Sequence, residues 1–339
     1  MTQPENRKAV VAGGLCAFAL LVTPQQALAD EGGVSFWLPG LFGSLAATPT
    51  VPGWSWATVY YHSQVSAGAD AQFPRGGRID VGIAGQADLV FFGPTYTFAS
   101  PVLGGQLAAS VLGAAGRNEA SAALSLTGPM GNTIALNRTQ DLTSFGDVIP
   151  QITLKWNTGV NNFMVYGTGD IPVGDYDPNR LANLGIGHGA IDFGGGYTYF
   201  DPKAGNEFSG VAGFTYNFKN PDTQFQNGVD FHFDWGASRF FDKKLQLGLV
   251  GYYFQQITDD FGAPPSLDGF RSRIAGIGPQ IGYIFPIGNM QGYINLKAYK
   301  EFAAQNRPEG WNAWLTFAIS PTPPEPAPPA TPVKPMITK

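Results

Sequence analysis

The chain has 339 residues, a formal net charge of -5 and 13% charged residues, about half the share that is usual in soluble domains. So few charges argue against a soluble globular protein, and the lack of a basic excess argues against nucleic-acid binding. The single cysteine, Cys16, lies in the N-terminal segment, which excludes disulfides and thiolate metal sites from the rest of the chain.

Residues 1–29 have the pattern of a cleavable signal peptide. Arg7 and Lys8 form a short basic region, residues 9–22 form an apolar run, and an Ala-x-Ala cleavage site ends at residue 29. The pattern predicts export across the inner membrane. The alternative is an uncleaved membrane anchor, for which the apolar run is short.

Residues 30–53 form an apolar lead-in that is punctuated by glycine and proline and has no strand alternation. One hypothesis is that this segment folds up inside the following domain as a plug. The alternative is a periplasmic linker.

Residues 54–320 are rich in aromatic residues and glycine and alternate with period two in several places. In 148–156, 230–235 and 311–319, apolar side chains occupy one face of each predicted strand and mostly polar ones the other. This pattern predicts an all-β, antiparallel, up-and-down transmembrane barrel in which apolar faces meet lipid and polar faces line the lumen. The soluble alternative is a large periplasmic β-sandwich or barrel.

The predicted connections alternate between short and long, as in outer-membrane barrels. Short turns are predicted at Pro101–Gly104, Gly159–Asn161, Asp201–Gly205, Asp242–Lys244 and Pro286–Asn289. Longer polar connections are predicted at Gln64–Gln86, Arg117–Phe145, Pro172–Gly187, Lys219–Gly228, Thr258–Gly269 and Ala303–Gly310. This gives twelve strands, within a range of ten to fourteen, because Gln106–Gly128 could be one strand or a hairpin. Residues 321–339 are proline-rich and predict an extended, disordered tail.

The lumen candidates are polar residues on the inward faces of the predicted strands. Asp230, His232 and Asp234 share one face and could bind a substrate hydroxyl or carboxylate, or could form a hydrogen-bond network that fills the interior. The other candidates, which could form a selectivity ring or salt-bridged filling, are Lys155, Asn157, Asn295, Lys297 and Glu301.

Several aromatic residues could either stack along a substrate path or form the girdles at the two membrane interfaces. They are Trp54, Trp56, Tyr60, Tyr61, Tyr252, Tyr253, Trp311 and Trp314.

Two polar motifs favour structural interpretations. Asp175, Asp177, Asn179 and Arg180 resemble the start of a calcium loop but lack its glycine and terminal glutamate, so we expect Asx-turns and an Arg–carboxylate pair. Residues 192–194 spell the Asp-Phe-Gly triplet of kinases without any other kinase element. The sequence predicts no metal site and no cofactor.

Six segments resemble a family of outer-membrane proteins described as involved in the meta-pathway of phenol degradation. They are EGGVSFWLPGLFGSLAATPTVPGWSW (31–56), PVGDYDPNRLANLG (172–185), FTYNFKNPDTQFQNG (214–228), GLVGYYFQQITDD (248–260), GIGPQIGYIF (276–285) and NRPEGW (306–311). The resemblance implies an outer-membrane barrel, in a Gram-negative cell, that is associated with uptake of aromatic or other hydrophobic compounds.

The predicted function is therefore passive transport of small hydrophobic or aromatic molecules by a lipid-embedded, non-enzymatic channel. One alternative is a structural barrel. The other is a lipid-modifying barrel enzyme, for which His232 with Asp230 or Asp234 is the candidate acid–base set, although no serine motif accompanies it.

Overall fold

The computed structural model of the chain is a closed barrel of antiparallel strands. It describes residues 35–72, 78–127, 130, 132–262 and 271–323. The strands within these residues are β1 (Gly53–Gln72), β2 (Arg78–Thr97), β3 (Gln106–Thr127), β4 (Thr133–Thr158), β5 (Asn161–Asp170), β6 (Ala190–Asp201), β7 (Asn206–Asn217), β8 (Asp230–Phe241), β9 (Leu245–Gln256), β10 (Arg273–Ile287), β11 (Met290–Gln305) and β12 (Glu309–Pro321).

Each strand pairs with its neighbours in sequence, and β1 pairs with β12 to close the barrel, with Trp56 opposite Ile319. The prediction of a twelve-stranded, up-and-down antiparallel barrel is confirmed. The segment 106–128, for which a hairpin was the alternative, contains the single strand β3. The predicted signal at 1–29 and most of the proline-rich tail (324–339) lie outside the described residues.

The strands alternate between the outside and the lumen as the sequence predicts. On β8, Asp230, His232 and Asp234 are buried, whereas the residues between them are partly exposed. On β4, Ile152 is 51% exposed on the outer face, and its neighbours Gln151 and Thr153 line an interior cavity. An apolar outer face is what a lipid environment requires of a barrel.

The wall is much taller on one side than on the other. Strands β5 to β9 have 10 to 12 residues each, close to the roughly 9–11 residues that cross a bilayer at the usual tilt. Strands β1 to β4 have 20 to 26 residues, which is well beyond the length needed to cross a bilayer. The additional residues extend at the rim opposite the start of β1 and the end of β12.

The predicted long connections are partly wrong, because strands occupy much of them. We call the long strands β1 to β4 the tall wall. Much of Gln64–Gln86, Arg117–Phe145 and Ala303–Gly310 is strand, and the connections between the paired strands are short. These stretches have no apolar stripe because they extend beyond the lipid, so their polar and small residues look like loop sequence. Backbone pairing holds them, helped by exposed ion pairs such as Arg117 with Glu119 at 2.8 Å.

The short turns lie together at the rim where the barrel begins and ends, as predicted. The connections of 171–189 and 218–229 lie at the opposite rim, as do residues 257–262 and 271–272; the rest of the predicted connection Thr258–Gly269 lies outside the described residues. In the part of the chain that the structure describes, no helix is long and apolar enough to cross a membrane.

Candidate functional site in the barrel lumen

Residues 35–52 lie inside the barrel and contact inward-facing side chains of most strands. We call this stretch the lumen segment. It has no regular secondary structure, and its backbone groups are satisfied partly by two tight turns, with Leu41 N donating to Leu38 O and Thr48 N donating to Leu45 O. The remaining backbone groups find partners on the barrel wall, because buried amides and carbonyls must be paired.

Asp234 holds the middle of the lumen segment. Its Oδ1 accepts a hydrogen bond from Gly40 N at 3.0 Å, and its Oδ2 accepts one from Phe42 N at 3.1 Å. The alternation of β8 turns this carboxylate inward, where it is 1% exposed. Bonds from amides to a carboxylate are about twice as strong as neutral ones, so Asp234 is a principal anchor.

Lys297 on β11 binds the same stretch through its carbonyls. Its Nζ donates to Gly40 O at 2.6 Å and to Leu41 O and Phe42 O at 3.2 Å, which uses all three ammonium hydrogens. Gly40 has φ +89°, and a Cβ there would lie 3.0 Å from the Tyr299 ring. The glycine therefore permits the close approach that brings these carbonyls to Lys297.

Further anchors come from the same side of the barrel. Glu207 accepts from Leu45 N at 3.0 Å, and the Thr198 hydroxyl accepts from Ala47 N at 3.0 Å. Gln280 donates to the Ser44 hydroxyl at 2.7 Å. We call β6 to β11, which carry these side chains, the anchored wall.

His232 lies under the start of the lumen segment. Its ring stacks on Trp37, with centroids 3.5 Å apart and planes 14° apart. Its Nε2 lies 2.9 Å from Asp192 Oδ2, and Asp192 also accepts from Tyr166 OH at 2.7 Å and Thr215 Oγ1 at 2.6 Å. All of these side chains are buried. The arrangement is a hydrogen-bond network around Asp192 that supports a stacked aromatic pair, although His232 Nδ1 and Trp37 Nε1 are buried without a hydrogen-bond partner among the described residues.

The carboxylate partner of His232 is thus Asp192. Asp230 instead accepts from Asn217 Nδ2 at 3.0 Å, and Asp234 binds the lumen segment. The acid–base pairing of His232 with Asp230 or Asp234 that the sequence suggested is wrong.

Sequence reasoning missed Asp192 because its triplet was interpreted only as a chance kinase match. The signal was available, since Asp192 lies between Ile191 and Phe193, whose exposed apolar side chains mark the outer face of β6. A lone carboxylate on the opposite face of an otherwise apolar strand points into the lumen. Glu207 was missed as well, and alternation on β7 would have placed it inside.

The opposite side of the lumen differs. Inside the barrel, a partly open cavity of about 210 Å³ lies between the lumen segment and β1 to β5. Another cavity, of about 350 Å³, lies elsewhere, between β1, β2, β3, β11 and β12. We call β1 to β5 the open wall. The cavity inside the barrel is lined by polar side chains together with Ala108 and Met164 of the wall and Phe42 of the lumen segment.

The hydrogen bonds between the lumen segment and the open wall lie near the C-terminal end of the segment, while Trp37 and Phe42 pack against the Tyr166 ring of β5. Thr50 N donates to Gln106 Oε1 at 2.7 Å, and Lys155 Nζ donates to Thr48 O at 3.2 Å. Lys155 and Lys297 therefore both bind carbonyls of the lumen segment, from opposite walls.

The remaining lumen candidates take separate positions. Asn295 is buried and donates to Ile281 O at 3.2 Å. Glu301 is buried and accepts from Tyr252 OH at 2.8 Å. Asn157 is exposed near the end of β4 and donates to Asn162 Oδ1 of β5 at 2.7 Å. Their hydrogen bonds join them to different partners, so the structure does not connect the five ring candidates directly.

The aromatic candidates divide between the two faces. Tyr61 and Trp314 are buried, with ring centroids 4.5 Å apart, and Tyr252 packs inside against Tyr299 at 4.9 Å. The outward aromatic residues, which carry the exposure expected of interface girdles, are Trp54, Trp56, Tyr60 and Trp311. Tyr253 is partly exposed and pairs with the outward Phe231.

The loop candidates form the predicted structural contacts. Asp177 Oδ1 accepts from Asn179 N at 2.9 Å as an Asx-turn, and Arg180 donates to Asp175 Oδ1 at 2.5 Å. Within the described ranges, no group of three or more His, Cys, Asp or Glu side chains is placed to hold a metal ion.

Among solved structures, the outer membrane channel COG4313 from Pseudomonas putida F1 matches with a TM-score of 0.59 at 14% identity, covering 80% of this chain and 97% of that one. The CymD monoaromatic hydrocarbon channel matches with a TM-score of 0.32 at 8% identity, covering 81% and 89%. OccAB1 from Acinetobacter baumannii matches with a TM-score of 0.30 at 11% identity, covering 81% and 98%. At 14% identity, the first match supports the fold alone. The TM-scores of the other two are too low to support the fold.

A search of curated proteins found no match. The sequence profile of one family, described as "Putative MetA-pathway of phenol degradation", matches residues 43–317. The matched range runs from inside the lumen segment to β12 and so includes the whole barrel apart from its last residues. The chain therefore belongs to the family of the putative MetA-pathway of phenol degradation.

Proposed function

We propose that this protein is a channel in the outer membrane of a Gram-negative cell for passive uptake of small hydrophobic or aromatic compounds. The family's link to phenol degradation supports the substrate class, and the closed barrel with an apolar outer face supports the location. No covalent step is needed, and the concentration gradient of the solute supplies the driving force.

The observation that carries this proposal is the cavity between the lumen segment and the open wall. Its volume is about 210 Å³, and a cavity of about 150 Å³ is enough to hold benzene. Phe42 and Met164 offer apolar contact there, while Gln106 and Gln151 can bind a polar substituent. A site of this size and mixed lining suits a monocyclic aromatic compound and excludes larger solutes.

We infer that the lumen segment acts as a plug that stays seated during transport. Asp234 and Lys297 bind the backbone of residues 40–42 from the anchored wall, so that side of the lumen is closed. The solute would pass along the open wall beside Phe42, where the wall and the lumen segment meet through side chains and the backbone bonds of Gln106 and Lys155 are confined to residues 48–50. Rearrangement of side chains costs far less than release of the anchors.

The enzymatic alternative gains little support from His232. The His232–Asp192 pair is buried beneath Trp37 and faces the interior, away from the lipid on which a lipid-modifying enzyme would act. A structural role without transport is the remaining competitor, and uptake measurements separate it from a channel.

The test is initial uptake by intact cells with and without the protein. The panel consists of labelled phenol, toluene, an aromatic acid and an alkane, with a sugar of similar size as the reference. We expect loss of the protein to slow entry of the aromatic or hydrophobic members selectively. Equal slowing of all members would indicate a general pore, and unchanged uptake of every member would favour the structural barrel.

A further inference from the structure

A third cavity, of about 340 Å³, lies at the rim opposite the start of β1 and the end of β12. It is enclosed by Asp147 of β4, by the 171–189 connection and by the 218–229 connection. Short turns face the periplasm in outer-membrane barrels and longer loops face the outside, so in the proposed orientation this cavity opens on the extracellular side. Solutes would meet it before they reach the lumen.

His188 supplies an unpartnered acceptor to this cavity. Its side chain lines the cavity, and the residue is 3% exposed. The Nδ1 atom lies 3.0 Å from Gly189 O, and because a carbonyl can only accept, Nδ1 carries the proton and Nε2 is the acceptor in the neutral ring. Among the described residues, Nε2 has no hydrogen-bond partner. Because His188 lines the cavity, this acceptor is open to a molecule bound there.

The other buried polar groups around the cavity already have partners. Asp147 accepts from Gly174 N at 2.7 Å through Oδ1 and from Ile186 N at 2.8 Å through Oδ2. The Tyr176 hydroxyl accepts from Asn220 Nδ2 at 2.9 Å. The unused hydrogen-bonding capacity deep in the cavity is therefore concentrated at His188.

Part of the remaining lining is suited to an aromatic ring, and the exposed charged residues Lys219 and Asp222 also belong to the lining. Pro172, Pro221 and the ring of Tyr176 supply flat apolar surfaces. Gly187 has φ +74°, and a Cβ there would lie within 2.6 Å of the Tyr176 ring, so only glycine brings the backbone against that ring and His188 beside it. The volume is within the usual range for small-molecule sites, about 300–1,000 Å³.

We propose that this cavity is a capture site for monocyclic aromatic compounds that carry a hydroxyl group. The hydroxyl donates its hydrogen to His188 Nε2, and the ring packs among Pro172, Pro221 and Tyr176. The proposal rests on the channel function above and specifies its substrate class, because it adds a preference for phenols over hydrocarbons at the point of entry.

Binding to the purified full-length protein in detergent micelles tests the site. The probes are 4-fluorophenol and 4-fluoroanisole, followed by ¹⁹F NMR, with protein-free micelles as the reference for partitioning. The two probes share a ring, but the methyl group of the anisole replaces the hydrogen that His188 would accept. We expect the phenol to bind about five- to tenfold more tightly, as one net hydrogen bond provides. Equal affinities would overturn the proposal.

The variant His188→Phe keeps a flat ring and removes the acceptor. It should lower the affinity for 4-fluorophenol to that for 4-fluoroanisole and leave the anisole unchanged. The matched control is His62→Phe, since His62 pairs with Asp88 on the outer face of the tall wall. A preference for the phenol that survives His188→Phe would contradict the assignment.

A second variant guards against misfolding of the loop. Pro221 is exposed and has no N–H to lose, so Pro221→Trp should fill the cavity without breaking a backbone donor and should weaken binding of both probes. Unchanged binding in folded Pro221→Trp would place the probes elsewhere and overturn the proposal. Phenol uptake in cells is measured separately: uptake without phenol-selective binding refutes the capture site alone, and binding without uptake refutes the channel.

Discussion

The anchored wall and the open wall treat the same lumen segment in different ways. From the anchored wall, Asp234 and Lys297 bind consecutive amides and carbonyls of residues 40–42, and Trp37 stacks on His232. From the open wall, hydrogen bonds reach residues 48–50, Tyr166 packs against Trp37 and Phe42, and a cavity of about 210 Å³ lies beside Phe42. The anchored wall fastens residues 40–47 through a series of backbone bonds, whereas the open wall binds the backbone at residues 48–50 and leaves side-chain packing beside Phe42.

This difference teaches how a barrel can be blocked and permeable at the same time. Charged side chains buried in the anchored wall would be costly without partners, and the lumen segment supplies those partners. The fastened side then defines the narrow space that remains, and its lining sets which solutes fit. Four substitutions or deletions break or sharpen this comparison.

Deletion of residues 35–49 removes the lumen segment and with it the difference between the anchored wall and the open wall. The emptied barrel should admit the reference sugar as readily as phenol, with sugar entry raised by about tenfold or more, because pore width rather than lining then selects. Swelling of liposomes that contain the purified protein measures this directly. Deletion of residues 324–339 is the control and should leave both rates unchanged, whereas a sugar rate unaffected by removal of 35–49 would refute the plug.

Asp234→Ala loosens the anchored wall. Two amide bonds to a carboxylate are lost and the amides of Gly40 and Phe42 are left unpaired, so seating of the lumen segment should weaken by about 3 kcal/mol, roughly a hundredfold in the population of the released state. Labelling of Ser44→Cys by a water-soluble maleimide reports release. Asp88→Ala, on the outer face of β2, should leave the labelling rate as it is, and the same slow rate in Asp234→Ala would exclude anchoring by this residue.

Ala108→Trp fills the cavity of the open wall. Ala108 faces the cavity from β3, and a side chain the size of the aromatic solute should lower phenol uptake by about tenfold through steric exclusion. Maleimide labelling at Ser44→Cys should not change, because the anchors remain. Val111→Trp is the matched control, since Val111 lies on the outer face of the same strand. Phenol uptake that persists at the wild-type rate in Ala108→Trp would move the path away from the open wall.

Asp175→Asn alters the rim near the tall wall and should have the smallest effect. The hydrogen bond from Arg180 lowers the pKa of Asp175 below its usual value, so the folded loop favours the carboxylate. The resulting stabilisation is present above the ordinary carboxyl pKa of about 4 and is lost as pH falls below it. Protection of residues 171–189 against hydrogen exchange, after correction for the intrinsic pH dependence of the exchange rate, should therefore fall below about pH 4 in the wild type. Asp175→Asn should remove that pH dependence, and Asp201→Asn, at the opposite rim, should preserve it.

Sequence reasoning was most successful where lipid imposes a rule. Alternation around Ile152 and His232 fixed which face each strand presents, and the order of short turns fixed the number of strands. It failed for the upper parts of β1 to β4, because strands that extend beyond the lipid lose the apolar stripe that identifies them. It also failed to distinguish the roles of Asp230 and Asp234, because the two residues look equivalent in sequence but have different partners.

The partners of the lumen residues could not be predicted for a related reason. Asp234, Lys297 and Glu207 are separated from the lumen segment by more than 150 residues, and no local pattern records which backbone group each one meets. Their roles follow from the path of residues 35–52 through the barrel, which depends on the closed fold. The Asx-turn at Asp177 and the Asp175–Arg180 pair were predictable because their partners are a few residues apart.

The central claim is that the solute passes the open wall while the lumen segment stays fastened to the anchored wall. Ser44 Oγ and Ser238 Oγ lie 3.4 Å apart, so the pair Ser44→Cys and Ser238→Cys should form a disulfide that locks the segment in place. Phenol uptake by cells carrying this variant is measured before and after treatment with a reductant. We predict equal uptake in both states. Uptake that is blocked when the disulfide is formed and restored on reduction would show that the lumen segment must leave its seat, which contradicts the account.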